Sequence, residues 1–392
     1  MAATTALTTL LVAGFASLFM AWSIGAGSSG STPFAPAVGA NAISIMRAGF
    51  LVGILGLLGA VLQGANVTNA VGRELILGVS LTPTAATVGL LTAAVLVAVG
   101  VFAGYPIATA FTVTGAVIGV GLAIGGAPAW GKYQQIATLW VLTPFVGGGI
   151  AYGTARLLRH ERSREALLVP LLAGVVGLVL ANVRFVFLGP PDVQASLAEV
   201  AVLRVGGGLL THAGVTLAVA ALVGLVVAWD VRRDVAAGQR HFLLALGALV
   251  AFSAGGSQVG LALGPLVPLL EDFQLPLLAL LFGGGLGLLI GSWTGAPRMI
   301  KALSQDYSAL GPRRSIAALI PSFAIAQAAV FFGIPVSFNE IIVSAIVGSG
   351  AAAGGGDVSG AKMGYTVLAW IGSLALAMAV GYVAVLAVGS VL

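Results

Sequence analysis

Runs of about 20 residues almost without charge constrain this chain more than any motif in it. Ala85 to Gly104, Leu167 to Leu188, Leu209 to Trp229 and Tyr365 to Leu392 are such runs. A helix rising 1.5 Å per residue needs roughly 20 residues to cross the ~30 Å hydrocarbon core of a bilayer, so each predicts a spanning helix. Further apolar blocks start near Ala6, Gly49, Ile107, Ile136, Leu243, Leu277, Ala317 and Val336. With them the expectation is an all-α polytopic membrane protein of about ten to twelve segments, some too short or too glycine-broken to span. At 59% apolar, 7% charged and a mean hydropathy of +1.10, a water-soluble domain of 392 residues would aggregate. Alternation with period two, the mark of an outer-membrane barrel, is missing.

The chain has no cysteine, which excludes disulfides, thiol chemistry and Cys-based metal sites. The first apolar block lacks a basic leader and runs on into Gly/Ser-rich sequence, which reads as a retained helix rather than a cleaved signal. The net charge of +5 does not point to nucleic acid, because 11 of the 17 Lys and Arg fall in three short loops. These are Arg156, Arg159, Arg162 and Arg164; Arg232, Arg233 and Arg240; and Arg298, Lys301, Arg313 and Arg314. Basic loops stay on the cytoplasmic side, so a multi-pass protein of the cell membrane is expected. The connector with Asp192 and Glu199 is then external.

An internal repeat organises the rest. Phe102 to Pro106 leads into Gly115 to Gly121, and Phe331 to Pro335 leads into Ser344 to Gly350, 229 residues later. Ala26-Gly27-Ser28-Ser29 followed by Pro36 corresponds to Gly255-Gly256-Ser257-Gln258 followed by Pro265 at the same offset of 229. Secondary transporters are commonly built from two inverted repeats with substrate between them. The expected division is 1–155 as first repeat, 156–241 as linker and two-helix insert, and 242–392 as second repeat.

In hydrocarbon every backbone N–H and C=O must be satisfied internally, so a Gly/Ser/Pro run survives only where it is buried or lines a wet cavity. Gly25 to Pro36 is such a run, with Ser28, Ser29, Ser31 and Thr32, and Ser253 to Pro265 is its counterpart, with Ser253, Ser257 and Gln258. Pro106 and Pro335 are followed by Thr109, Thr112 and Thr114 and by Ser337 and Asn339. Broken or re-entrant helices with four polar helix starts, two per repeat, would offer N–H groups and positive dipole ends to one anion. Small residues that only let helices pack closely are the bland reading of the same pattern. Charges inside membrane blocks are functional suspects, Glu340 first among them, as holder of a coupling proton or Na⁺ or as partner of a buried Arg. Arg47, Arg73, Glu74 and Arg184 sit near segment ends, where snorkelling is expected. His212 reads as a helix-packing histidine.

The stretches AGSSGSTPFAPAVG and AGGSQVGLALGPL, with PIATAF and PVSFNE further on, resemble the inorganic phosphate transporter (PiT) family. Its two repeats carry a GANDVANA-like and a PVSTTH-like signature. The resemblance implies a substrate site at Ser28, Ser29, Thr109, Ser257, Gln258 and Ser337, with Ala108 and Phe338 at the remaining signature positions. A coupling ion, Na⁺ or H⁺, is expected near Glu340, Thr32 and Asn339. Both signature aspartates are replaced, by Ser29 and Gln258. A neutral, donor-only site favours sulfate, which has no proton to give, over phosphate. The chain is similar to the sulfate permease branch of the family in its AFSAG stretch at Ala251 to Gly255 and in Trp140 to Pro144 followed by Tyr152. Uptake of a tetrahedral oxyanion is therefore expected, sulfate favoured and phosphate the alternative. No cofactor beyond a coupled ion, no nucleic acid and no metal centre are expected. The partners are the anion and the bilayer, with a homodimer an open option.

A passive anion channel uses the same donors and stays a rival. An intramembrane serine protease is another, since Gly27-Ser28-Ser29-Gly30 fits a G-x-S-G pattern and His212 lies on a later helix, but that pattern is weak among 57 glycines. The run Gly125 to Lys132 imitates a phosphate-binding loop with Tyr133 where Ser or Thr should stand, so no ATP site and no enzyme is inferred.

Overall fold

The computed structural model describes residues 2–160, 165–190, 193–269, 275–305, 307, 310–352 and 360–389. Arg162, Arg164 and Asp192 lie outside them. Helix α1 (Ala2–Ile24) runs into a π-helical turn (Gly25–Ser29), a bend and α2 (Ala35–Gly39). Then come α3 (Ile45–Gln63), α4 (Ala65–Arg73), α5 (Pro83–Ala103), α6 (Thr109–Ala123) and α7 (Trp130–Arg159). Next are α8 (Glu165–Ala181), α9 (Leu197–Val205) and α10 (Gly208–Arg233). The chain continues through α11 (Val235–Leu263), α12 (Leu277–Thr294) and α13 (Ala296–Gln305), then α14 (Pro312–Phe332), α15 (Phe338–Ala351) and α16 (Gly360–Gly389). The strands are two ribbons of two residues, pairing Ile76 with Pro128 and Arg184 with Ser196. Among the described residues nine helices are long and apolar enough to cross a membrane, and three shorter apolar ones are α6, α8 and α15. The protein is all-α and polytopic.

Helix boundaries recur at the spacing seen in the sequence. Pro83 and Pro312 stand in the first turns of α5 and α14, where a missing N–H costs nothing. Both helices end on a glycine with positive φ, Gly104 at 72° and Gly333 at 60°, which turns the chain towards Pro106 and Pro335. The short helices α6 and α15 follow, each starting 229 residues from the other. They then cross over, α6 packing on α16 and α15 on α7. Two indole bonds pin the crossing, from Trp140 Nε1 to the Pro335 carbonyl (2.9 Å) and from Trp370 Nε1 to the Pro106 carbonyl (2.8 Å).

Two expectations change. Leu167 to Leu188 is not one spanning helix, because α8 ends at Ala181 and the chain turns into a ribbon. There the Arg184 guanidinium does not snorkel freely. It lies 4.4 Å over the Phe331 ring and bonds the Glu199 carboxylate, with Nε at 3.0 Å from one oxygen and 3.1 Å from the other. Burial opposes the charge on Glu199, but the Arg184 bonds and the Ser196 N–H outweigh it and hold its carboxyl below the usual carboxylate range. The second correction is the run Ser253 to Pro265, which does not break its helix: α11 continues to Leu263. Its glycines serve packing instead, since a Cβ on Gly255 would lie 1.9 Å from the Gly56 carbonyl of α3.

The basic loops meet at one end. Arg313 pairs with Glu165, and Arg159, Gln239 and Arg314 line the same cleft. Cysteines placed at Arg159, Arg233 or Arg313 should react with a membrane-impermeant maleimide only after cells are opened; labelling of intact cells would reverse this orientation.

Candidate functional site

Three side chains far apart in sequence close on one another. Ser28 lies in the π-helical turn, Thr109 opens α6 and Gln258 stands on α11, all without solvent exposure. Ser28 Oγ donates to Gln258 Oε1 at 3.2 Å, Thr109 Oγ1 donates to the same oxygen at 2.8 Å, and the two hydroxyls are 3.4 Å apart. The amide nitrogen of Gln258 donates to the Val336 carbonyl. A carbonyl can only accept, so that bond fixes the amide with nitrogen towards Val336 and oxygen towards the hydroxyls.

The expected donor-only character therefore does not hold. Gln258 presents an acceptor to the cluster, and one of its two N–H groups is engaged by Val336. An acceptor at the centre suits a ligand with a proton to give.

Local structure explains the placement. A π-helical turn widens the backbone and makes room for Gly25-Ala26-Gly27-Ser28-Ser29 against α12, where a Cβ on Gly25 would meet the Leu288 carbonyl at 2.2 Å. The bend behind it is held by the Ser28 carbonyl, which accepts from Thr32 Oγ1 (2.9 Å) and Ser31 Oγ (3.2 Å). Asn339 Nδ2 ties three pieces together by donating to the carbonyls of Gly27 (2.9 Å) and Ile107 (2.7 Å). Thr32 and the Asn339 amide nitrogen thus brace the site through its backbone, while Asn339 Oδ1 stays buried without a partner.

Of the other expected residues, Ser337 adjoins Val336 as the cap position of α15, and its Oγ has no hydrogen-bond partner. Ser257 adjoins Gln258 with its Oγ equally unpartnered, and Ser29 follows Ser28, 2% exposed. Glu340 is buried one residue past Asn339, and its Oε2 is unpartnered. Ser253 belongs elsewhere: its hydroxyl accepts from Gln327, which also exchanges amide bonds with Gln63. The expected four helix starts reduce to two, α6 and α15, because α2 has five residues and α11 runs through. Those two N-termini leave their first N–H groups without helical acceptors beside Thr109 and Ser337.

Two rival readings lose their footing. Ser28 bonds Thr109 and Gln258, while His212 lies half-buried on α10, so no serine–histidine pair is assembled. Lys132 of the loop-like run pairs with Glu74 at 2.6 Å and donates to the Gly333 carbonyl at 3.3 Å. Sequence reasoning overlooked the carbonyls of Gly27, Ile107 and Val336 as partners, which no residue type announces. Gln63 and Gln327 were findable as polar groups inside apolar blocks.

Comparison with known proteins follows the same line. The profile of the Phosphate transporter family matches residues 24–381. An inorganic phosphate transporter of Arabidopsis thaliana, chloroplastic by name, is 24% identical, covering 90% of this chain and 68% of that protein. A protein of Pyrococcus furiosus named as a phosphate permease is 26% identical, covering 88% of this chain and 87% of its own. A solved structure of a sodium-dependent phosphate transporter superposes with a TM-score of 0.80 at 22% identity, over 98% of this chain and 100% of that one. The expected kinship with a sulfate permease branch finds no support among these relatives, and neither does a homodimer.

Proposed function

This chain belongs to the phosphate transporter family and is a multi-pass protein of the cell membrane, and from that premise we propose that it carries inorganic phosphate by secondary transport. The site is the cluster of Ser28, Ser29, Thr109, Ser257, Gln258 and Ser337, between two inverted repeats at 1–155 and 242–392, with 156–241 as an insert. One observation carries the choice of phosphate over sulfate. The Gln258 carbonyl oxygen faces Ser28 and Thr109, and phosphate at neutral pH keeps a hydroxyl to donate to it, whereas sulfate has none. An anion that enters between Gln258 and the two hydroxyls frees both to donate to its oxygens. The unpartnered Ser257 and Ser337 hydroxyls add donors, and the starts of α6 and α15 add N–H groups. The names of the relatives favour the same substrate.

Proteoliposomes loaded with unlabelled phosphate should exchange it for external radiolabelled phosphate. A mismatch that leaves one buried acceptor unpaired costs about 1–3 kcal/mol, so sulfate should compete roughly five- to 150-fold less well. Equal competition, or exchange of sulfate alone, would replace phosphate as the substrate.

A further inference from the structure

We propose that Glu340 carries a proton co-transported with the anion, and that Ser344 and Thr143 line its route between α15 and α7 to the basic end of the molecule. The inference rests on the transport reading above and deepens it by naming the coupled ion and its path.

Buried polar atoms without partners are rare, and five of them gather at one helix packing. Ser337 Oγ, Asn339 Oδ1, Glu340 Oε2 and Ser344 Oγ on α15 and Thr143 Oγ1 on α7 are each unpartnered, in residues no more than 4% exposed. Ser337, Glu340 and Ser344 are three and four residues apart, on one side of their helix. Thr143 lies at the same level: Trp140 bonds the Pro335 carbonyl on one side of it, and Gly148 meets α15 on the other, where a Cβ would lie 3.1 Å from the Ser344 carbonyl. A packing surface of hydroxyls and a carboxylate with nothing to bond is unfavourable unless it holds water or a cation some of the time.

The charge must be matched by something mobile. Of the elements packed on α15, α7 carries Lys132 and Tyr133 at its start and Tyr152, Arg156 and Arg159 towards its end. Helix α14 carries only Arg313 and Arg314, in its first turn, and the π-helical turn carries no charge. Glu340 thus has no fixed counter-charge among the described residues.

A proton fits better than Na⁺. Seven residues separate Ser337 from Ser344, about 10 Å along a helix. Oxygens ligating one cation at about 2.3–2.6 Å lie within about 5 Å of each other, so a cation held by Ser337, Asn339 Oδ1 and Glu340 would leave Ser344 and Thr143 without partners. The row can be a line of relay groups with a carboxylate midway. At its far end the Ala352 carbonyl accepts from Arg159 at 3.0 Å, in the basic cleft expected to face the cytoplasm.

The position also supplies coupling. Glu340 is one helical turn from Ser337, so an ionised carboxylate there repels an anion in the site, and a protonated one does not. Anion and proton then favour each other's binding. On the way in, water on the anion side gives Glu340 its proton, the anion binds, and after the anion leaves the proton passes by way of Ser344 to water at the other end.

The test uses the whole protein in proteoliposomes, with inorganic phosphate as probe and a pH dye in the lumen. Wild type should acidify the lumen when phosphate is added outside, and one unit of inward proton gradient should raise accumulation by up to about tenfold. In Glu340→Gln, which mimics the protonated side chain, the ratio of gradient-driven uptake to exchange at equal pH should fall about tenfold. Ser344→Ala and Thr143→Val should slow driven uptake several-fold with exchange at the wild-type rate, and they decide the matter if Glu340→Gln does not fold. Wild-type-like gradient response in all three variants, or wild-type accumulation that follows a Na⁺ gradient and ignores pH, would overturn the proposal. Exchange of neither phosphate nor sulfate by wild type would remove the transport reading itself, and this one with it.

Discussion

Gln258→Leu is expected to lower phosphate exchange by about a hundredfold or more, the largest effect of any single change in the site. The leucine keeps the volume and removes every bond of the amide. The Val336 carbonyl then has no donor, Ser28 and Thr109 lose their shared acceptor, and the phosphate hydroxyl has nothing to donate to. A buried group left unpaired costs about 1–3 kcal/mol, and two such losses in the occupied state reach the 2.7 kcal/mol or so that a hundredfold represents. Thermal stability in detergent separates a failed site from a failed fold. Gln258→Glu sharpens the test. Its carboxylate would set an oxygen against the Val336 carbonyl, while its protonated form can donate there as the amide does. Exchange by this variant, measured with equal pH on both sides, should therefore recover as pH falls. A variant indifferent to pH, or a leucine variant exchanging within a few-fold of wild type, would remove Gln258 from the site.

Gly348→Ala should destabilise the fold by roughly 3 kcal/mol, at the upper end of what overpacking does. A Cβ there would lie 2.1 Å from the Gly148 carbonyl, and the obstacle is backbone rather than a side chain that could swing away. Gly119→Ala should behave alike, since its Cβ would meet the Met378 carbonyl at 2.2 Å. These are the two crossings by which α6 rests on α16 and α15 on α7. Gly372→Ala is the control: it lies on α16 with nothing within 4 Å of its Cβ and should be neutral or slightly stabilising. Thermal melts of the purified protein in detergent read all three. If Gly348→Ala and Gly119→Ala melt with the control, the crossing does not hold the two short helices in place.

Much of the fold was legible along the chain because lipid is an unforgiving solvent. Length without charge located most spans, and α5, α10 and α14 lie close to where the apolar runs put them. The 229-residue offset likewise reappears in helix starts and in the paired glycines Gly104 and Gly333. Residue types also pointed to the candidate site. Ser28, Thr109 and Gln258, singled out from polar runs and family likeness, meet within hydrogen-bond distance.

The direction of a hydrogen bond was not legible. Read as a residue type, Gln258 is a donor and an acceptor at once, and reading it as a donor led to sulfate. Only the carbonyl of Val336, brought alongside from 78 residues away, commits its nitrogen and turns its oxygen inward. The glycines of Ser253 to Pro265 failed in a related way. A glycine-rich run reads the same whether it breaks a helix or lets a neighbour approach, and the difference lies in what stands opposite, here the backbone of α3 against Gly255. Composition and spacing determined that this chain lies in a membrane, repeats itself and gathers polar groups in its interior, because each follows from the cost of polar backbone and charge in hydrocarbon. Which atoms of those groups face each other was decided by tertiary structure alone, because a polar side chain spends its donors on whatever acceptor packing brings near.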